Sequence, residues 1–145
     1  MNKKSILIVD DNRLDADLIQ LAIDECGMNV KSTFIEDSPD VMHYLHAIEP
    51  GSGTLPSLIL LDLKMPKMDG MELLTLLKSD ETSSRIPVVI LSSSEQPCDI
   101  ECTIKSSANA YIVKPFDYSE LCNVLKQTLQ FWLNVNTGSF ELEQI

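Results

Sequence analysis

No apolar run in this chain approaches the roughly 18 residues that a bilayer-spanning helix requires; the longest runs are strand-sized. The opening stretch, MNKKSILIVDD, pairs two lysines with a short apolar run that ends in two aspartates. That run is too brief for a signal-peptide core, so a cytoplasmic protein with no membrane contact is expected. Basic residues are scarce, 11 Lys and Arg against 22 Asp and Glu, leaving a net charge of −11. A surface this acidic repels a phosphate backbone, which argues against nucleic acid as a partner. The four cysteines, Cys26, Cys98, Cys102 and Cys122, include no CxxC pair and fit no small secreted framework. Reduced thiols are therefore expected, although Cys98 and Cys102 have the spacing of one helix face. The loop EPGSGTLP (49–56) lacks the Gly-Lys-Ser/Thr that a phosphate cradle would need and reads as a flexible connection. His43 and His46 have no third ligand in view and read as solvated helix residues. No internal repeat is present.

What is present suits a single globular unit. The chain has 145 residues, with 44% hydrophobic and 23% charged, which is enough for one domain with a full core. Residues 1–133 read as that domain. Residues 134–145 read as a tail that is either disordered or interface-forming. Five apolar runs recur: SILIV (5–9), VKSTFIE (30–36), SLILL (57–61), PVVIL (87–91) and AYIV (110–113). Three are nearly continuous Val, Ile and Leu, the pattern of strands buried on both faces.

Helical spacing fills the gaps between the runs. Leu14, Leu18, Leu21 and Ala22 mark a first helix whose inner face they are expected to form, with Gly27 as its C-terminal stop. Ser38-Pro39 reads as a cap followed by a first-turn proline, ahead of Val41, Leu45 and Ile48. Met71, Leu74 and Leu77 mark a third helix. CDIECTIKSS, the fourth, is built from residues of middling propensity and is easily perturbed. A fifth runs from about Tyr118 to Leu133, with Leu121, Val124, Leu125 and Thr128 on one face. Five strand–helix alternations predict an α/β fold: a doubly wound, five-stranded parallel sheet with five helices on its two faces. Ligands in such sheets bind where the strands end at their carboxyl side.

Polar residues collect at those strand ends. Asp10-Asp11 follow the first run, Asp62 the third, Ser92 the fourth and Lys114-Pro115 the fifth. Three carboxylates on one edge repel one another, and a hard divalent cation such as Mg²⁺ relieves that repulsion. Lys114 supplies a point charge suited to phosphate, and Ser92 supplies a hydroxyl donor. The Lys114-Pro115 bond is a candidate for the cis form, which would fix the lysine's direction. Each residue alone has a structural reading. The aspartates could be turn residues beside a capping Asn12, Lys114 could be a surface lysine, and one of Ser92-Ser93-Ser94 is expected to cap the fourth helix. Together on one edge they suit phosphoryl transfer to a carboxylate.

These residues lie within VDDN (9–12), LLDLKMPKMDG (60–70), PVVILSSS (87–94) and AYIVKPFD (110–117). With these motifs the chain resembles the receiver domains of two-component response regulators, the CheY-like (flavodoxin-like) fold, over about residues 4–133. That resemblance implies Asp62 as the phospho-acceptor, supplied by a sensor histidine kinase. It implies Asp10, Asp11, Asp62 and the backbone carbonyl of Lys64 around Mg²⁺. It further implies that Lys114 contacts the phosphoryl group, with Ser92 as hydroxyl switch and Tyr111 as its aromatic partner. Pro66 and Gly70 match the loop that follows the acceptor, and Ser94 occupies a position that tunes phosphate lifetime. Three features resemble the regulators paired with phytochrome-type kinases, which often form dimers: the longer loop before the third strand, the pattern KSDETSSRIPVVIL at 78–91 and the aromatic ending. A homodimer is expected through the fourth helix, fifth strand and fifth helix, with Phe131, Trp132 and Leu133 at the interface.

Three other functions compete with a phospho-accepting switch that binds partners or relays phosphate. One is a receiver acting mainly as a dimeric assembly module. Another is a small phosphohydrolase, although such enzymes usually space their first-strand acids two apart. The third is a flavodoxin-like cofactor carrier, which would need a phosphate-cradling loop after the first strand. No output domain is expected within this length.

Overall fold

The computed structural model describes residues 4–49, 51–52, 55–63 and 69–135. Strands and helices alternate from the start: β1 (Lys4–Val9), α1 (Arg13–Glu25), β2 (Val30–Ile35), α2 (Pro39–His46), β3 (Leu58–Leu61) and α3 (Gly70–Ser79). There follow β4 (Val88–Ser92), α4 (Pro97–Lys105), β5 (Ala110–Val113) and α5 (Tyr118–Leu129), which continues into a π-helical segment, Gln130–Val135. The strands form one parallel sheet in the order β2-β1-β3-β4-β5. The expected doubly wound architecture is therefore the observed one. The order reverses between β1 and β3, so the ends of these two strands flank the crevice in which such sheets bind ligands.

Alternation along each central strand divides the core. Leu7, Val9, Ile59, Leu61, Val88 and Ile90 pack with Val41, Leu45, Leu73, Leu74 and Leu77 of α2 and α3. Ile6, Ile8, Leu58, Leu60, Val89 and Leu91 pack on the other face with α1 and α5, through Ile19, Ile23, Leu121 and Leu125. Burying an aliphatic side chain of this size contributes about 1.5–3 kcal/mol before the cost of ordering it. The continuous apolar runs of β3 and β4 follow from having helices on both sides.

Several local expectations change. The buried side of α1 is Ala16, Ile19, Ala22 and Ile23, while Leu14, Leu18 and Leu21 are exposed. Of the predicted stripe only Ala22 faces the sheet. Ser38 precedes α2 but its side chain does not cap it. None of Ser92, Ser93 and Ser94 is the cap of α4; Gln96 stands there. Every peptide bond among the described residues is trans, so Lys114-Pro115 is not cis. Leu133 is only 3% exposed and Trp132 packs against the same α1–α5 core, so Leu133 is withdrawn from the interface and Phe131 remains exposed. Asn12 does cap α1, accepting from the Asp15 N–H, and Gly27 ends it at φ 69°.

Candidate functional site

Backbone bonds set the ends of the central strands side by side. The Asp62 N–H donates to the Val9 carbonyl at 3.0 Å, and the Lys114 N–H donates to the Ser92 carbonyl at 2.7 Å. With the β3–β4 pairing between them, these two bonds bring residues from four distant parts of the chain to one edge. Asp10 is 1% exposed and Asp62 8%, with Asp11 half-buried beside them. A carboxylate oxygen from each of the three can be chosen so that all lie within 4.8 Å of one another. Asp10 is held in place by the Asn12 N–H, which donates to its Oδ1 at 2.9 Å.

Lys114 reaches into this group from β5. Its Nζ donates to Asp10 Oδ2 at 2.8 Å and to Asp15 Oδ2 at 3.1 Å, and stands 4.0 Å from Asp62 Oδ1. Burial disfavours the ammonium charge, but the hydrogen bond to Asp10, the charges of Asp62 and Asp10 and the bond to Asp15 outweigh it. The Lys114 pKa therefore lies above the ordinary lysine value. Three acids matched by one fixed cation leave an excess of negative charge in a largely desolvated place. Oxygen donors at this spacing, with that excess, suit a hard divalent cation such as Mg²⁺.

Ser92, fully buried at the end of β4, accepts the Ser94 N–H at 3.2 Å. Tyr111 donates from its hydroxyl to the Ser94 carbonyl at 2.8 Å. The two residues expected to switch together thus meet through one loop residue. Lys64 and Pro66 lie outside the described residues, and the loop resumes at Asp69. Gly70 donates its N–H to the Leu63 carbonyl at 3.0 Å, closing the turn directly behind Asp62.

The sequence reading missed Asp15, the second acceptor for Lys114. In the sequence it is a first-turn acid on a capped helix, which helix electrostatics already explains. Its offset from Asp11, four residues along, was the available signal, since the cap at Asn12 starts the helix at the same sheet edge.

Comparison with known proteins bears on the same edge. Residues 6–126 match the family model described as "Response regulator receiver domain". The chain belongs to that family. The receiver is 34% identical to the probable methanogenesis regulatory protein FilR2 of Methanothrix harundinacea, over 90% of this chain and 84% of that one. It also superimposes on the phosphorylated cyanobacterial phytochrome response regulator RcpA with a TM-score of 0.86, at 37% identity, covering 95% of this chain and 99% of that one. The Mn²⁺-bound response regulator Rcp1 gives a TM-score of 0.80 at 30% identity, covering 93% and 98%. The receiver is thus a response-regulator signalling protein related to the phytochrome response regulators. No helix among its described residues is long and apolar enough to cross a membrane.

Proposed function

We propose that Asp62 accepts a phosphoryl group from a histidine kinase and that the modified receiver switches a protein-binding surface or relays the phosphate. The observation that carries this is a nearly buried carboxylate with two further carboxylates within 4.8 Å and the Lys114 ammonium at 4.0 Å. A lone pair on an Asp62 oxygen forms the new bond to phosphorus. The bond from phosphorus to the donor's imidazole nitrogen breaks, and its electron pair stays on that nitrogen. Asp10, Asp11, Asp62 and the Lys64 carbonyl would hold Mg²⁺, which supplies charge neutralisation to the carboxylates and the phosphoryl oxygens. Lys114, already pre-positioned by Asp10 and Asp15, shifts its contact to the incoming phosphoryl oxygens. The Ser92 hydroxyl turns its one proton toward them.

The donor would be a phytochrome-type kinase, a reading supported by the likeness to RcpA. Beside Lys114 lies a pocket of about 210 Å³ lined by Leu18, Phe116 and Leu121. Phe116 is fully exposed there, and Leu14 is 71% exposed on the same helix as Leu18. This apolar rim next to the acceptor suits the kinase helix that presents the histidine. The protein would work in the cytoplasm, where its free cysteines stay reduced, with self-dephosphorylation rather than phosphoester turnover as its only hydrolysis. A homodimer across α4, β5 and α5 is supported by the exposure of Ile104 on α4 and of Phe131 in the segment that continues α5.

Incubation with acetyl phosphate and Mg²⁺ should add one phosphoryl group, seen as a single step in intact mass. Chelation of the metal should prevent it. Equal labelling of Asp62→Asn would overturn the assignment of the acceptor.

A further inference from the structure

The α4 helix is loosely held. Thr103 is the one residue of Pro97–Lys105 that is buried, the helix composition is weak, and its cap, Gln96, makes no side-chain capping bond. What fastens its first turn is Asp99, whose Oδ2 accepts from the Ser94 hydroxyl at 2.5 Å. The same Ser94 Oγ accepts the Gln96 N–H at 3.3 Å. A carboxylate in the first turn and a hydroxyl before the helix therefore replace the missing cap, and the O–H···O⁻ bond is of the charge-assisted kind.

Ser94 is also the residue to which the site's switch pair is tied. Its N–H donates to Ser92 Oγ, its carbonyl accepts from Tyr111, and its hydroxyl donates to Asp99. One residue therefore joins the acceptor site to β5 by its carbonyl and to α4 by its hydroxyl. A Ser92 hydroxyl drawn toward a phosphoryl group stretches an N–H···O contact that is already 3.2 Å long. Displacement of Ser94 must then reach both branches.

We propose that Asp99 is a positioning residue that couples α4 to the phospho-acceptor through Ser94, in parallel with the branch through Tyr111. This rests on Asp62 being the acceptor. The coupling is local and bistable: one short hydrogen bond either holds the first turn of α4 against the loop or releases it.

The test is hydrogen exchange by mass spectrometry on the full chain, before and after phosphorylation with acetyl phosphate and Mg²⁺. Wild type should take one phosphoryl group and change its exchange at both 97–105 and 110–113. Asp99→Ala should take the same label and keep the response at 110–113, but lose the phosphorylation-dependent change at 97–105. Its unphosphorylated α4 should already exchange about tenfold faster, as expected for loss of a hydrogen bond to a charged group. Adding Ser94→Ala to Asp99→Ala should remove no more of the phosphorylation-dependent change at 97–105, because the Ser94–Asp99 bond is absent from both, while basal exchange differs through loss of the acceptor for the Gln96 N–H. Asp99→Glu should restore part of the response. A wild-type response at 97–105 in labelled Asp99→Ala would overturn the coupling. A labelled wild type that responds in neither segment would overturn it as well. A wild type that takes no label would overturn the acceptor assignment, and the coupling with it.

Discussion

A Cβ built on Gly70 would lie 2.5 Å from the Asp62 carbonyl oxygen and 2.6 Å from Leu63 Cα. Both are backbone atoms of the stretch Asp62–Leu63, so neither can swing aside as the end of a side chain could. Glycine is required here by close approach of chain to chain. Gly70→Ala is expected to cost about 3 kcal/mol of stability in urea unfolding, the upper part of the range for overpacking. The same variant should take label from acetyl phosphate more slowly than wild type, because the displaced backbone carries Asp62. Unchanged stability would mean that α3 can shift as a body without penalty. Gly70 was legible as a turn residue through its family motif, but the contact that demands it was not, since it depends on how α3 docks beneath β3.

The α1 helix shows what periodicity leaves undecided about an element. Its sequence carries two apolar stripes, Leu14-Leu18-Leu21 and Ile19-Ile23 with Ala16 and Ala22, and both have helical spacing. The sheet takes the second stripe. Small alanines on that side let the helix approach the strands, whereas leucines at the same positions would hold it away. Ile19→Ala is expected to cost about 2–4 kcal/mol in thermal or chemical unfolding. Leu14→Gln should change stability by no more than about 0.5 kcal/mol. The reverse order would place the leucine stripe against the sheet. The serines after β4 make a similar point. Ser92-Ser93-Ser94 reads as a site residue plus a helix cap, and the cap is wrong because Gln96 stands there; three adjacent hydroxyls cannot be told apart by sequence. Ser92 is buried at the strand end, and Ser94 ties the loop to both Tyr111 and Asp99.

At the scale of the molecule, the end of α5 decides which apolar surface remains available. Leu129 and Leu133 are buried four residues apart, and the π-helical segment carries Trp132 against the α1–α5 core. Phe131 is left 47% exposed, packed edge-on to Trp132 with ring centroids 5.0 Å apart. Phe131→Glu is therefore expected to shift sedimentation equilibrium toward monomer with little loss of stability, if α5 and its extension form the dimer contact. A wild type that is monomeric with and without phosphoryl label would remove the dimer. Truncation before Phe131 is a poorer test, because it also takes Leu133 out of the core.

By itself the sequence determined the fold class and placed the acids, hydroxyl and lysine at the carboxyl ends of the strands. Continuous Val, Ile and Leu runs need cover on both faces, and an ionisable residue placed directly after such a run lies at the strand's end wherever that strand sits in the sheet. The tertiary structure alone decided which α1 stripe is buried, that Asp15 shares Lys114 with Asp10, that Leu133 belongs to the core, and that Ser94 links the site to α4. Each of these depends on the distance and rotation between elements far apart in the chain. Those are set by side-chain volumes on both sides of a contact, which no single segment contains.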